Sequence, residues 1–88
     1  MSEGRTLAVA LHYEKPNTPV PRVVAKGRGL IGEKIIETAR ANGVPIEPNA
    51  PLAEALSQVE LDAEIPEELY RAVAEVLIFV LRAAGKIG

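Results

Sequence analysis

Gly27, Gly29 and Gly32 spell G-x-G-x-x-G between a β-branched run and a helical pattern, RVVAKGRGLIGEKII over residues 22–36. Glycines at this spacing let a strand turn sharply into a helix and let its N-terminal amides approach a pyrophosphate. Lys26 and Arg28 flank the turn as candidate phosphate cations. Glu47, fifteen residues beyond the last glycine, stands where a ribose-binding carboxylate would be sought. Against a dinucleotide site, Pro45 and Pro48 crowd Glu47, and a dinucleotide fold needs about six parallel strands. An 88-residue chain has no room for them. What remains of the reading is a small phosphate- or nucleotide-binding protein using Gly27–Gly32. The plainer reading is a tight turn that packs a helix onto a sheet.

Other reactive side chains assemble into nothing. His12 lies near the end of a strand pattern, with no serine motif to make it part of a catalytic set. Tyr70 opens a helical segment and packs, while Glu67 and Arg71 form an i,i+4 surface pair. Glu33, Glu37, Glu60, Asp62 and Glu64 scatter over helix faces and a turn. No nucleophile, base and orienting group can be drawn together, so the chain reads as a non-enzyme with no catalytic residues. Without cysteine and with a single histidine, it offers no metal site and calls for no cofactor.

The elements that position these residues follow from patterning. Leu7–Tyr13 (LAVALHY) is a buried strand, Glu14–Pro21 a proline-stiffened loop, and Arg22–Lys26 a second strand. A helix follows over about 29–41, with Leu30, Ile31, Ile35, Ile36 and Ala39 facing inward and Asn42-Gly43 as its stop. Val44–Glu47 is expected to form a third strand, which makes one right-handed βαβ crossover. Asn49 caps the next helix near Pro51, with Leu52, Ala53, Leu56 and Val59 inward. Pro66 opens the longest helix, about 66–84, with Leu69, Val73, Leu77 and Val80 as its stripe, widened by Ala72, Val76 and Leu81. The expected fold is α/β: a sheet of about three strands packed with three or four helices. It forms a single domain over 7–84, with a disordered N-terminus at 1–6 and a frayed C-terminus at 85–88.

Composition fits this plan. Hydrophobic residues make up 48% and aromatics only 3%, so the core is built from Val, Ile, Leu and Ala. A net charge of −2 has the wrong sign for a nucleic-acid surface. The apolar run Leu7–Leu11 is too short for a signal core or a membrane span, and Glu75 and Arg82 bracket the run Val76–Leu81. A cytoplasmic location with no direct membrane insertion is expected.

Four blocks in order carry a more specific signal: AVALHY at 8–13, VVAKGRGLI at 23–31, GVPI at 43–46 and IPEELYRAVAEVL at 65–77. Together they resemble the C-terminal cytoplasmic domain of the FlhB/YscU family, the export switches of flagellar and related type III secretion machines. The resemblance runs from about Leu7 to Arg82. It implies a domain at the export gate, on the inner face of the membrane, that binds export-apparatus proteins or export substrates.

The departures are as informative. Family members carry a transmembrane region and then a strand ending in Asn-Pro-Thr-His, where the Asn amide attacks its own carbonyl and cleaves the chain. In register, those positions here are Glu3, Gly4, Arg5 and Thr6. Glutamate has no nucleophilic amide, and neither proline nor histidine follows, so cleavage by this route is expected to be lost. The chain therefore looks like a short stand-alone paralogue that substitutes for the cleaved fragment of a full-length relative. The resemblance also implies a docking patch for short hydrophobic substrate segments, falling on Val20, Pro21, Ala74 and Leu77. With the upstream strand missing, the edge of Leu7–Tyr13 is open to strand addition from a partner or a second copy.

Overall fold

In the computed structural model, residues 6–14 and 18–83 are described. Two antiparallel strands, β1 (Leu7–Glu14) and β2 (Thr18–Arg28), form the whole sheet among these residues. Helix α1 (Leu30–Ala41) follows, then α2 (Ala50–Leu56), a 3-10 turn (Glu67–Leu69) and α3 (Tyr70–Ala83).

Pairing sorts the hairpin into two faces. Val9 lies opposite Lys26 and Leu11 opposite Val23, and Val9, Leu11 and Val23 join one core with Leu56, Ile65 and Val73. Ala8 lies opposite Gly27 and Ala10 opposite Ala25. This second face is built of small residues, and α1 packs on it. The layers are thus α1, the hairpin, and then α2 with α3. Val24 is the extra residue of a bulge between Ala10/Leu11 and Ala25/Val23, and stays 44% exposed.

The expected third strand does not form. Residues 44–49 are irregular and exposed, so among the described residues the βαβ crossover is absent and the sheet has two strands instead of three. A strand needs a neighbour's ladder, and Pro45 and Pro48 further remove two donors from this segment. The α/β class itself holds.

The proline loop is also shorter than expected. Strand β2 already begins at Thr18, which puts Val20 and Pro21 in the sheet. Pro19 falls in a register irregularity opposite the stretch from His12 to Glu14 in β1. Pro21 turns its carbonyl to the outer edge, accepting from Ile65 N at 3.0 Å, so its missing N–H costs no ladder bond. That edge continues through Val23, whose N–H donates to Ala63 O at 3.0 Å and whose carbonyl accepts from Asp62 N at 2.6 Å. Asp62 adopts φ 69° to make this contact.

Helix boundaries follow the capping residues. At the end of α1, Gly43 N donates to Arg40 O at 3.2 Å and Val44 N to Ala39 O at 2.8 Å, with Gly43 at φ 71°. This is the Schellman arrangement that Asn42-Gly43 announces. Asn49 Oδ1 accepts from Leu52 N at 3.2 Å to open α2. Pro66 opens a 3-10 turn, and α3 proper starts at Tyr70.

Candidate functional site

The glycine turn is a packing device. Gly29 carries φ 64° and ψ −131°, a conformation glycine reaches without strain. Its N–H donates to Thr6 O at 2.7 Å, which fixes the start of β1 against the start of α1. A Cβ on Gly32 would stand 2.8 Å from both Gly27 O and Thr6 O, and one on Gly27 would collide with Ile31. Each glycine therefore lets α1 close onto the hairpin.

The cations expected for a phosphate are engaged elsewhere. Lys26 points to the opposite face, where its Nζ donates to Ser57 O at 3.0 Å and Val59 O at 2.5 Å, carbonyls at the C-terminal end of α2. Arg28 pairs with Glu54 at 3.0 Å. Hydrogen bonding first, and then the opposite charge, hold the Arg28 guanidinium above its usual value and the Glu54 carboxyl below. Glu47 lies in the irregular segment after α1, not at the end of a strand. Of the two cations named for the phosphate-binding reading of Gly27–Gly32, Lys26 is thus turned away from the turn and Arg28 is held in a surface ion pair. Among the described residues no three His, Cys, Asp or Glu side chains gather to hold a metal.

The resemblance-derived patch is mostly turned inward. Val20 and Leu77 are partly buried and pack against the same core, Pro21 is buried, and only Ala74 is exposed. Of the positions of the lost cleavage motif, Glu3, Gly4 and Arg5 lie outside the described residues, whereas Thr6 is the residue clasped by Gly29. Of the expected termini, 1–6 and 85–88, all but Thr6 lie outside them.

One open feature among the described residues is absent from the sequence-based expectations. An apolar groove of about 660 Å³ runs between α1 and the hairpin, lined by Ala10, Val24, Ala25, Leu30, Ile31 and Ile35. Leu30 is 78% and Ile31 63% exposed, so these two expected core residues stand in the open. The signal was present in the width of the α1 apolar stripe, which a two-stranded sheet is too narrow to cover. Beside the groove, β1 pairs only with β2 among the described residues, leaving its other edge unpaired.

This arrangement matches known proteins across nearly the whole chain. Residues 5–80 match the model of the FlhB HrpN YscU SpaS family. The Bacillus subtilis protein YlqH is 41% identical over 75 residues, which cover 85% of this chain and 81% of that protein. The flagellar biosynthetic protein FlhB of the same organism is 38% identical over 81 residues, 91% of this chain but 22% of its own length. The crystal structure of the cytoplasmic domain of FlhB from Shewanella putrefaciens superposes with a TM-score of 0.80 at 36% identity, covering 90% of this chain and 70% of that one. Among the described residues no helix is long and apolar enough to cross a membrane. With its glycine turn, its capped helices and this coverage, the chain belongs to the FlhB HrpN YscU SpaS family of flagellar and type III export proteins.

Proposed function

We propose that this chain is a non-enzymatic protein-binding module of the export switch, acting in the cytoplasm at the export gate. It would bind export-apparatus proteins or export substrates in place of the cleaved fragment of a full-length relative. The observation that carries this reading is an apolar groove left open beside an unpaired strand edge, in a domain whose reactive side chains are dispersed. Large exposed apolar patches on small domains mark interaction surfaces. Strand addition along Leu7–Tyr13 and docking at Val20, Pro21, Ala74 and Leu77 are the two contacts the module offers. The half-burial of Val20 and Leu77 means that the second contact requires these side chains to be uncovered.

Complementation tests the reading. In cells whose full-length family member is truncated after its cleavage motif, expression of this chain should restore flagellar or type III export. Absence of rescue, with the folded protein demonstrably present, would overturn it.

A further inference from the structure

The two residues that stop α1 carry a chemistry of their own. Asn17 precedes Thr18 and Asn49 precedes Ala50, whereas Asn42 precedes Gly43. The side-chain amide carbon of an asparagine is open to attack by the backbone nitrogen of the next residue. Glycine, lacking a Cβ, leaves that nitrogen unhindered. Asn42 and Gly43 are both exposed, and a Cβ built on Gly43 would meet nothing within 4 Å, so water and the moving atoms have room.

The helix cap restrains each reacting group. Gly43 N, the nucleophile, donates to Arg40 O at 3.2 Å. Asn42 Nδ2, the leaving group, donates to Thr38 O at 2.8 Å. At ψ 10° the Asn42 backbone sets Gly43 N beside the asparagine's own nitrogen and away from its Cγ. The same turn holds Val44 N on Ala39 O at 2.8 Å. Helix ends open locally at a far smaller free energy than the whole domain, so these restraints lapse together and often.

We infer that Asn42-Gly43 is a self-modification site, at which Asn42 converts to aspartate and isoaspartate without an enzyme, at a rate set by opening of the α1 cap. In the opened turn Gly43 N bonds to Asn42 Cγ and gives up its proton. The Cγ–Nδ2 bond breaks and ammonia departs, which leaves a five-membered imide. Water then adds to either imide carbonyl. Cleavage of the Cγ–N bond yields aspartate, and cleavage of the backbone C–N bond yields isoaspartate, with the main chain rerouted through the former side chain.

Both products place a carboxylate at the C-terminal end of α1, where the helix dipole disfavours it. Both also lose the amide that donates to Thr38 O. Isoaspartate adds a methylene to the backbone, which carries Gly43 N and Val44 N away from the carbonyls of Arg40 and Ala39. The exit of α1 toward the exposed Val44 and Ile46 is thereby loosened in a step that closing the cap does not reverse. No partner takes part, so the site stands or falls independently of the binding-module reading.

The test incubates the full chain, warm and near neutral pH, beside a free peptide of residues 38–46 (TARANGVPI). Peptide mapping that resolves isomers should find isoaspartate accumulating at position 42, ahead of any change at Asn17 or Asn49. Conversion should be at least tenfold slower in the folded chain than in the peptide, and unfolding the chain in urea should erase that difference. Gly43→Ala should slow conversion at least tenfold in urea, where folding plays no part. In the purified isoaspartate form, hydrogen exchange of the Val44 amide should quicken at least tenfold. Asn42→Asp, which supplies the carboxylate without the longer backbone, should quicken it less. A folded chain that stays intact while the peptide reacts to completion would overturn the site. Equal rates in chain and peptide, or unchanged Val44 exchange after conversion, would overturn the control by the cap.

Discussion

Gly32 sits where two backbone carbonyls converge, and neither can retreat without opening the hairpin or the helix. A methyl group there would lie 2.8 Å from Thr6 O and Gly27 O. Gly32→Ala should therefore cost about 1–3 kcal/mol, read as a lowered midpoint in chemical denaturation. Asp62 presents the opposite case, a side chain at φ 69° in open surroundings. Asp62→Gly should match or exceed the parent in stability, while Asp62→Val should lose about 1–2 kcal/mol, since a β-branched residue resists that conformation. The pair Arg28–Glu54 behaves differently again. Its lowered carboxyl pKa means that its contribution is present above the ordinary glutamate range and fades as pH falls through the lowered folded-state value. Because both side chains are more than half exposed, Glu54→Gln should leave the neutral-pH melting temperature unchanged within error.

At the scale of elements, the capping residues were legible because each acts through its immediate neighbours. Asn42-Gly43 stops α1 and Asn49 opens α2, where the sequence places them. Asn49→Ala should remove the bond to Leu52 N and cost about 1 kcal/mol, measurable by thermal unfolding. The strands were less legible, since pairing is decided by a remote partner. The pattern of Val44–Glu47 reads as β, yet no described strand lies beside it to bond. The prolines at 19 and 21 read as a loop, yet one falls at a register irregularity and the other on an outer edge, where a missing donor does no harm. Lys26 was misplaced for a related reason. The bulge at Val24 helps set which face of β2 each residue occupies, and a bulge leaves no mark in composition.

For the molecule as a whole, the core gathers Val23 from the hairpin, Leu56 from α2, Ile65 from the segment before α3 and Val73 from α3. One buried leucine thus ties α2 to the hairpin and to α3. Leu56→Ala should cost about 2–5 kcal/mol, a large share of the roughly 5–10 kcal/mol available to a domain of this size. Far-ultraviolet circular dichroism during urea titration would show it as a marked fall in midpoint. The glycine turn illustrates what distinguishes family-level from site-level reading. Its residues announced a phosphate when taken alone, and a packing joint once Thr6, Ile31 and Lys26 were in place around it.

The closure of the β2 edge by residues 62–65 has a consequence for how the domain can associate. A fibre built by edge-to-edge pairing needs every subunit to offer two bare flanks, one to receive and one to give. Here the hydrogen bonds from Ile65, Asp62 and to Ala63 occupy the outer edge of β2 at Pro21 and Val23, and among the described strands the outer edge of β1 is the one left without a ladder. With part of one flank occupied, copies of the domain lack the two bare edges that continuous growth demands.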